Sequence, residues 1–170
     1  MSLFFETGRL IVNIPQAHDV NDLYSLQADA DVMKYIGHGK PRTKNEVAEG
    51  LNKAIEHYAK HGFSVGSVFE KTTGKFVGRA GLIYLAFDDT QSDIEIGYAL
   101  HKEYWGNGYA TELAKACVQW GFQHIDTTKL VGVTLPQHVK SQHVLEKAGM
   151  KYVKMNLYRG IEVTQYEIYV

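Results

Sequence analysis

Apolar residues recur along this chain with two periods. Val47, Leu51, Ile55 and Tyr58 fall at helical intervals. They follow Thr43-Lys44-Asn45-Glu46, which has capping-box spacing, and Gly62 stands where a left-handed helix end belongs. A second long helix is predicted over residues 109–124, with Ala110, Leu113, Ala114, Cys117 and Gly121 on one face. Shorter helical stripes cover 19–28 and 31–36, and a last helix covers 137–147 before Gly149. Period two governs the rest. In 93–100, Ile94, Ile96, Tyr98 and Leu100 point one way, and Glu95, Gly97 and Ala99 the other. Further strands are predicted over 9–14, 63–70, 75–85 and 129–135, with a hairpin turn at Thr72-Thr73-Gly74. Residues 151–170 read as two strands joined at Arg159-Gly160. Strands alternating with helices in this order predict a mixed α/β sheet with helices on its faces.

At 170 residues, the chain is expected to form a single domain spanning 1–170, without internal repeat or linker. Eighteen Lys and Arg stand against nineteen Asp and Glu, with no basic cluster, so no nucleic-acid partner is expected. No apolar run reaches the ~18 residues of a membrane span, so no membrane partner is expected either. The single cysteine, Cys117, fits a reducing, cytoplasmic setting.

The candidate chemistry centres on Tyr104-Trp105-Gly106-Asn107-Gly108-Tyr109-Ala110-Thr111-Glu112. Two glycines precede an apolar-periodic helix. Glycine allows close backbone approach, and a helix N-terminus offers unpaired N–H groups and partial positive charge. Together they suit a phosphate or pyrophosphate. The segment lacks the Gly-Lys-Ser/Thr of a P-loop. Thr111 stands where the third glycine of a dinucleotide fingerprint would be.

Six segments in order resemble the GNAT superfamily of acyl-CoA-dependent N-acetyltransferases, in the branch containing the ribosomal-protein-alanine N-terminal acetyltransferases. They are Thr7-Gly8-Arg9-Leu10, Asp31-Val32-Met33-Lys34-Tyr35-Ile36, Gly78-Arg79-Ala80-Gly81-Leu82, the strand from Ile94 to Leu100, the loop from Trp105 to Glu112, and Ser141 with Val144-Leu145-Glu146-Lys147-Ala148-Gly149-Met150. The resemblance implies a largely antiparallel sheet of six to seven strands, splayed between the fourth (93–100) and fifth (129–135). It implies acetyl-CoA as co-substrate and no metal. Main-chain amides of Trp105, Gly106, Asn107, Gly108, Tyr109, Ala110 and Thr111 would hold the pyrophosphate. The backbone of Tyr98, Ala99 and Leu100 would pair with the pantetheine arm. His138 stands where the family often places a cofactor-binding Asn. Tyr35 and the loop from His38 to Arg42 would line the acceptor side.

Glu95 is the candidate general base, on the strand face away from Ile94 and Ile96; a solvated or ion-paired glutamate fits the same position. Ser141 is the candidate acid or thiol-binding group, with a helix-cap or surface serine as the alternative. Tyr98, Tyr104 and Tyr166 are alternative acids. Gly97 leaves room for the pantetheine arm, or marks a strand bulge. Cys117 falls on an apolar helix face and reads as a structural thiol, which favours direct attack in a ternary complex over an acyl-enzyme. His57 and His61 are four apart, but Lys53 and Lys60 share their side, so they read as a solvated face rather than a zinc site. Asp88, Asp89 and Asp93, with Glu95, would form an acidic approach for a cationic amine if they gather at a pocket mouth. The expected acceptor is a small-molecule amine or a protein N-terminus, and the protein is expected to be a monomer or homodimer. A catalytically silent acyl-CoA-binding sensor or partner-binding module is the alternative function, motivated by His138.

Overall fold

The computed structural model describes residues 2–170. Eight strands among these residues form one sheet: β1 (Leu3–Glu6), β2 (Leu10–Asn13), β3 (Val65–Glu70), β4 (Phe76–Tyr84), β5 (Ile94–Leu100), β6 (Lys129–Thr134), β7 (Lys151–Tyr158) and β8 (Ile161–Tyr169). Their spatial order is β1-β2-β3-β4-β5-β6-β8-β7. Neighbours are antiparallel except β5 and β6, which run parallel and share the single register pair Glu95↔Val131. The sheet therefore opens between these two strands, as expected.

The expectation of six to seven strands is corrected to eight. The additional strand, Leu3–Glu6, precedes the first one read from the sequence. It is an edge strand of four residues, too short for an alternation to register, and Phe5 anchors it in the core at 7% exposure. The strand expected to begin at residue 63 begins at Val65, and the one expected over 75–85 ends at Tyr84, where Leu85–Phe87 leaves β4 as a 3₁₀ turn.

The helices are α1 (Val20–Gln27), α2 (Ala30–Met33), α3 (Lys44–His61), α4 (Tyr109–His124) and α5 (Val139–Lys147). In α3 the Thr43–Glu46 capping box forms, and Gly62 closes the helix at φ +78°. The helix expected over 31–36 contracts to one turn, started by the Asp29 carboxylate accepting from the Asp31 N–H at 2.9 Å. α4 buries Leu113, Ala114 and Cys117 against the sheet, in one core cluster with Ile94, Ile96 and Leu100. The opposite face of β5 meets other helices: Ala99 clusters with Leu26, Val32 and Met33. The β7–β8 hairpin turns on Arg159 (φ +52°) and Gly160 (φ +78°), paired positive values that match the strand twist of a tight hairpin. No helix among the described residues is long and apolar enough to cross a membrane.

Candidate active site

A cavity of about 1280 Å³ opens where β5 and β6 part. It is lined by Tyr35 and His38 on one side, by Glu95, Gly97, Tyr98, Ala99 and Leu100 along β5, and by His138 and Ser141 of the α5 start. Trp105, Gly106, Gly108, Tyr109, Ala110 and Thr111 line it at the α4 end. Of the loop residues expected to hold the pyrophosphate, Asn107 alone does not. Its side-chain amide donates to the Tyr104 and Trp105 carbonyls at 3.1 and 3.3 Å, so it closes the loop from behind.

The loop that opens α4 is set by backbone conformation. Gly106 and Gly108 take φ +78° and +79°, a left-handed region that costs a residue bearing a Cβ roughly 1–2 kcal/mol. The Trp105 indole N–H donates to the Leu100 carbonyl at 2.9 Å and ties the loop to the end of β5. Gly108 is the N-cap and supplies no side-chain acceptor, so the first N–H groups of the sixteen-residue helix face outward uncapped. The helix keeps one carboxylate in its first turn, and Glu112 is already bound to Arg9 at 2.7 Å and to Thr7. Arg9 stacks over the Tyr109 ring at 4.4 Å, and its guanidinium comes within 3.5 Å of where a Gly108 Cβ would stand. A cation thus flanks the helix terminus. That arginine comes from the turn before β2, about a hundred residues away in sequence, which local spacing cannot reveal. Uncapped amides, a positive helix end, an adjacent arginine and a long cavity fit a diphosphate carrying an extended arm. The side chain of Tyr109 donates to Glu70 instead of facing this seat, so its contribution there is the main chain.

Glu95 sits midway along the cavity at 9% exposure. The solvated-glutamate alternative is therefore overturned. Burial raises its pKa to about 7, although Arg159 and Arg79 pull the other way, as does the Tyr158 hydroxyl at 3.5 Å. A carboxylate that is half ionised near neutrality is matched to moving protons. Gly97 keeps the sheet register continuous, so it marks no bulge, and nothing lies within 4 Å of the position its Cβ would take.

Across the opening, the Tyr98 hydroxyl and Ser141 Oγ are 3.0 Å apart. Ser141 is the third residue of α5 and does not cap it, and the hydrogen bond to Tyr98 gives it a defined partner in the cavity. Burial pushes Tyr98 up to about 12, so it is a neutral donor at physiological pH. Tyr104 lines the cavity, but Tyr166 does not: it is packed in the core edge-on to Tyr152 at 5.9 Å. His138 stacks on Tyr35 at 4.4 Å, which joins the α5 start to the segment after α2. Burial holds its pKa below the usual imidazole value.

Three expectations about charge and metal chemistry need correction or completion. Asp88, Asp89 and Asp93 do not gather at the mouth: they are absent from the cavity lining. Asp88 accepts from Thr90, Asp89 pairs with Lys60 and His61, and Asp93 pairs with Lys129. His57 is not on a solvated face. It is buried, its Nδ1 lies 2.7 Å from the Phe63 carbonyl, and its Nε2 accepts from the Tyr84 N–H at 3.1 Å. No cluster of three or more His, Cys, Asp or Glu able to hold a metal occurs among the described residues. Cys117 is fully buried, donates to the Gly81 carbonyl and is pushed up to about 12, as a structural thiol should be. What the sequence reading missed at the site is Arg79, Tyr158 and Arg159; Arg42, at the end of the loop expected on the acceptor side, does line it. The one available signal was Arg79, a charge inside the apolar run Val77-Gly78-Arg79-Ala80-Gly81-Leu82.

An open sheet with a glycine-loop helix at the gap defines an acyltransferase class, and comparison with known proteins agrees. Residues 9–151 match the acetyltransferase (GNAT) domain model, and the chain belongs to that family. It is an acyl-CoA-dependent acetyltransferase. It is 33% identical over 149 residues to the uncharacterized protein YkkB of Bacillus subtilis, covering 87% of this chain and 85% of that one. An acetyltransferase from Agrobacterium tumefaciens superposes with a TM-score of 0.83 at 22% identity, covering 98% and 94% of the two chains. The ribosomal L7/L12 alpha-N-protein acetyltransferase RimL, in complex with coenzyme A, superposes with a TM-score of 0.81 at 14% identity, covering 99% and 98%.

Proposed function

We propose that this protein transfers the acetyl group of acetyl-CoA to a primary amine, by direct attack within a ternary complex. One observation carries the reading: the opening between β5 and β6 holds a buried, half-ionisable carboxylate and a hydrogen-bonded Tyr98–Ser141 pair along the same cavity that ends at the uncapped α4 terminus.

Acetyl-CoA, when bound, supplies an activated acetyl group as a thioester. The main chain of Trp105 to Thr111, with Arg9 beside it, anchors the diphosphate. The unpaired edge of β5 at Tyr98, Ala99 and Leu100 orients the arm, and His138 packs at its side. Glu95 accepts the proton that an incoming ammonium must lose. An α-amine titrates near ~8 and a lysine near ~10.4, so a base poised near 7 serves the former with little help. Tyr98 and Ser141 hold a proton where the departing sulfur needs one. Cys117 lies off the cavity with its thiol suppressed, which supports direct attack over an acyl-cysteine. Tyr35 and His38 form the outer acceptor wall. Catalysis in the cytoplasm agrees with one reduced, buried thiol.

The test is thiol release from acetyl-CoA with a panel of amines. Acceptor-dependent release is expected, and calorimetry should show acetyl-CoA binding. Binding without turnover on any acceptor would favour the sensor reading, and no heat at millimolar acetyl-CoA would defeat both.

A further inference from the structure

The wall around Glu95 is cationic. β4 and β5 pair Arg79 with Ala99 and Ile83 with Glu95, so alternation sends Arg79 to the same side of the sheet as Glu95. Arg42 comes from the segment before α3 and Arg159 from the β7–β8 turn, and all three arginines line the cavity. They are close enough to act on one another: Arg42 repels Arg79, and Arg79 and Arg159 each favour the Glu95 carboxylate. Arg159 donates to the Ala86 carbonyl at 3.3 Å. The Arg79 side chain makes no hydrogen bond or ion pair with any described residue, though burial pulls its pKa down to about 10. Directly across on β3 stands Ser67, 1% exposed and also lining the cavity. Its Oγ finds no partner among the described residues.

The nearby carboxylates do not fill this gap. Glu46 accepts from the Thr43 N–H at 2.8 Å, and Asp19 from the Gln16 N–H at 2.9 Å. Glu49 lies exposed on α3. Glu95 is not in ion-pair contact, and burial favours its neutral form by raising its pKa to about 7. The Arg79 guanidinium is half-buried and open to the cavity, with five donors in a fixed fork, whereas Ser67 Oγ beside it is a buried polar atom of the kind that is nearly always paired. The protein itself supplies no acceptor to the Arg79 guanidinium and no partner to Ser67 Oγ. The diphosphate seat at Gly106 to Gly108 is a separate part of the cavity, beyond the end of β5.

We propose that the acceptor is an amine carrying an anionic group, a carboxylate or a phosphate, which Arg79 and Ser67 seat while Glu95 receives the amine. Arg42 and Arg159 form the rim of this seat. The inference rests on the acetyltransferase reading above and names its substrate class. The bond changes are those of acetyl transfer: an N–C bond forms, the thioester C–S bond breaks, and the proton shed by nitrogen ends on sulfur. The anionic group is unchanged and serves as an anchor. Polycationic amines are disfavoured by the same three arginines.

Matched acceptors test it. The full chain is assayed for thiol release with amino acids against their carboxamides, O-phosphoethanolamine against ethanolamine, and the polycations spermidine and kanamycin. At least one anionic acceptor should exceed its neutral partner tenfold in kcat/KM, and whether that acceptor is a carboxylate or a phosphate identifies the source. Arg79→Gln should erase the preference through KM while acetyl-CoA affinity stays within twofold. Arg42→Gln, outside the sheet, should show the same selective loss in smaller measure if Arg79→Gln does not fold. Preference for neutral or polycationic acceptors, or equal losses on all acceptors in the variants, overturns the proposal. If no amine releases thiol, the acetyltransferase reading fails separately. Thermal shift of CoA-saturated protein then decides on the anion seat. Stabilisation by anionic compounds, absent with their neutral partners and lost in Arg79→Gln, supports it; equal shifts overturn it.

Discussion

Replacing Glu95 by glutamine should make the protein less active and more stable, and the two effects should separate with pH. Folding raises this carboxyl from its ordinary 4.5 to about 7, chiefly by burial. The neutral form is thus favoured in the fold. The stabilisation from that preference is complete below pH 4.5 and is lost as pH rises through 7. At about 1.4 kcal/mol per pKa unit, the native state gives up about 3 kcal/mol by pH 8. Glutamine resembles the neutral acid and never ionises, so the variant should avoid that loss. At roughly 2–4 °C per kcal/mol for a chain of this size, its melting temperature at pH 8 should exceed wild type by about 6–12 °C. At pH 5 and below the two curves should converge. The difference between the two proteins is the quantity to measure, because other groups titrate in both. Wild-type kcat/KM should rise with pH through about 7, and the variant should lose this inflection together with ~10²–10⁴-fold in rate. A variant that turns over within threefold of wild type removes Glu95 as the base. A melting difference that does not vary between pH 5 and 8 removes the buried-carboxylate argument with it.

Gly106→Ala and Gly108→Ala should each cost about 1–2 kcal/mol, because φ is near +78° at both, and should weaken acetyl-CoA binding at least tenfold by calorimetry. Gly97→Val should fold with an unchanged melting temperature, since nothing occupies that space, yet lose at least tenfold in turnover by filling the cavity beside Glu95. Tyr98→Phe and Ser141→Ala should each reduce kcat about tenfold, and the double variant should be no slower than either, because one 3.0 Å hydrogen bond is removed in all three. Additive losses would mean that the two hydroxyls act apart. His57 should show, by the ¹⁵N shifts of its imidazole, a neutral ring protonated at Nδ1 that titrates below 6.5; titration at or above that value would contradict its burial between the Phe63 carbonyl and the Tyr84 N–H.

Much of the fold was legible because it is written locally. The Thr43–Glu46 box and Gly62 bound the 18 residues of α3, and both form as the spacing requires. The alternation of Ile94 to Leu100 sorted that strand's two faces, and the structure packs Ile94, Ile96 and Leu100 with α4 while Ala99 meets α1 and α2. The glycine loop and α4 were likewise set by neighbours in sequence. β1 was not, because a four-residue edge strand carries too little pattern and is stabilised by pairing with β2. His57 misled for a related reason: its helical position alone looks solvated, but the turn at Phe63 and the strand end at Tyr84 fold over it.

The half of the site proposed to grip the cofactor and the half proposed to choose the acceptor differ in how the chain encodes them. The first uses backbone: a helix terminus, two left-handed glycines and an unpaired strand edge, all within residues 98–111. Backbone devices leave a sequence trace, because only certain residues permit them. The second half is assembled from side chains on four elements that meet only in three dimensions: Arg42 before α3, Ser67 on β3, Arg79 on β4, and Tyr158 with Arg159 at the β7–β8 turn. The distant turn is bound to the β4–β5 connection through Arg159 and Ala86, where Ala86 and Phe87 both hold φ +58° without glycine. Strain of that kind persists only where surrounding contacts enforce it. On the proposed anion seat, acceptor choice would reside in the part of the molecule with no local signature, and charge counts along the sequence pointed the wrong way: the aspartates of 88–93 are consumed by Thr90, Lys60, His61 and Lys129, and arginines face Glu95 instead. Changing Arg79 or Arg159 should therefore alter which amine is accepted while leaving the grip on coenzyme A intact.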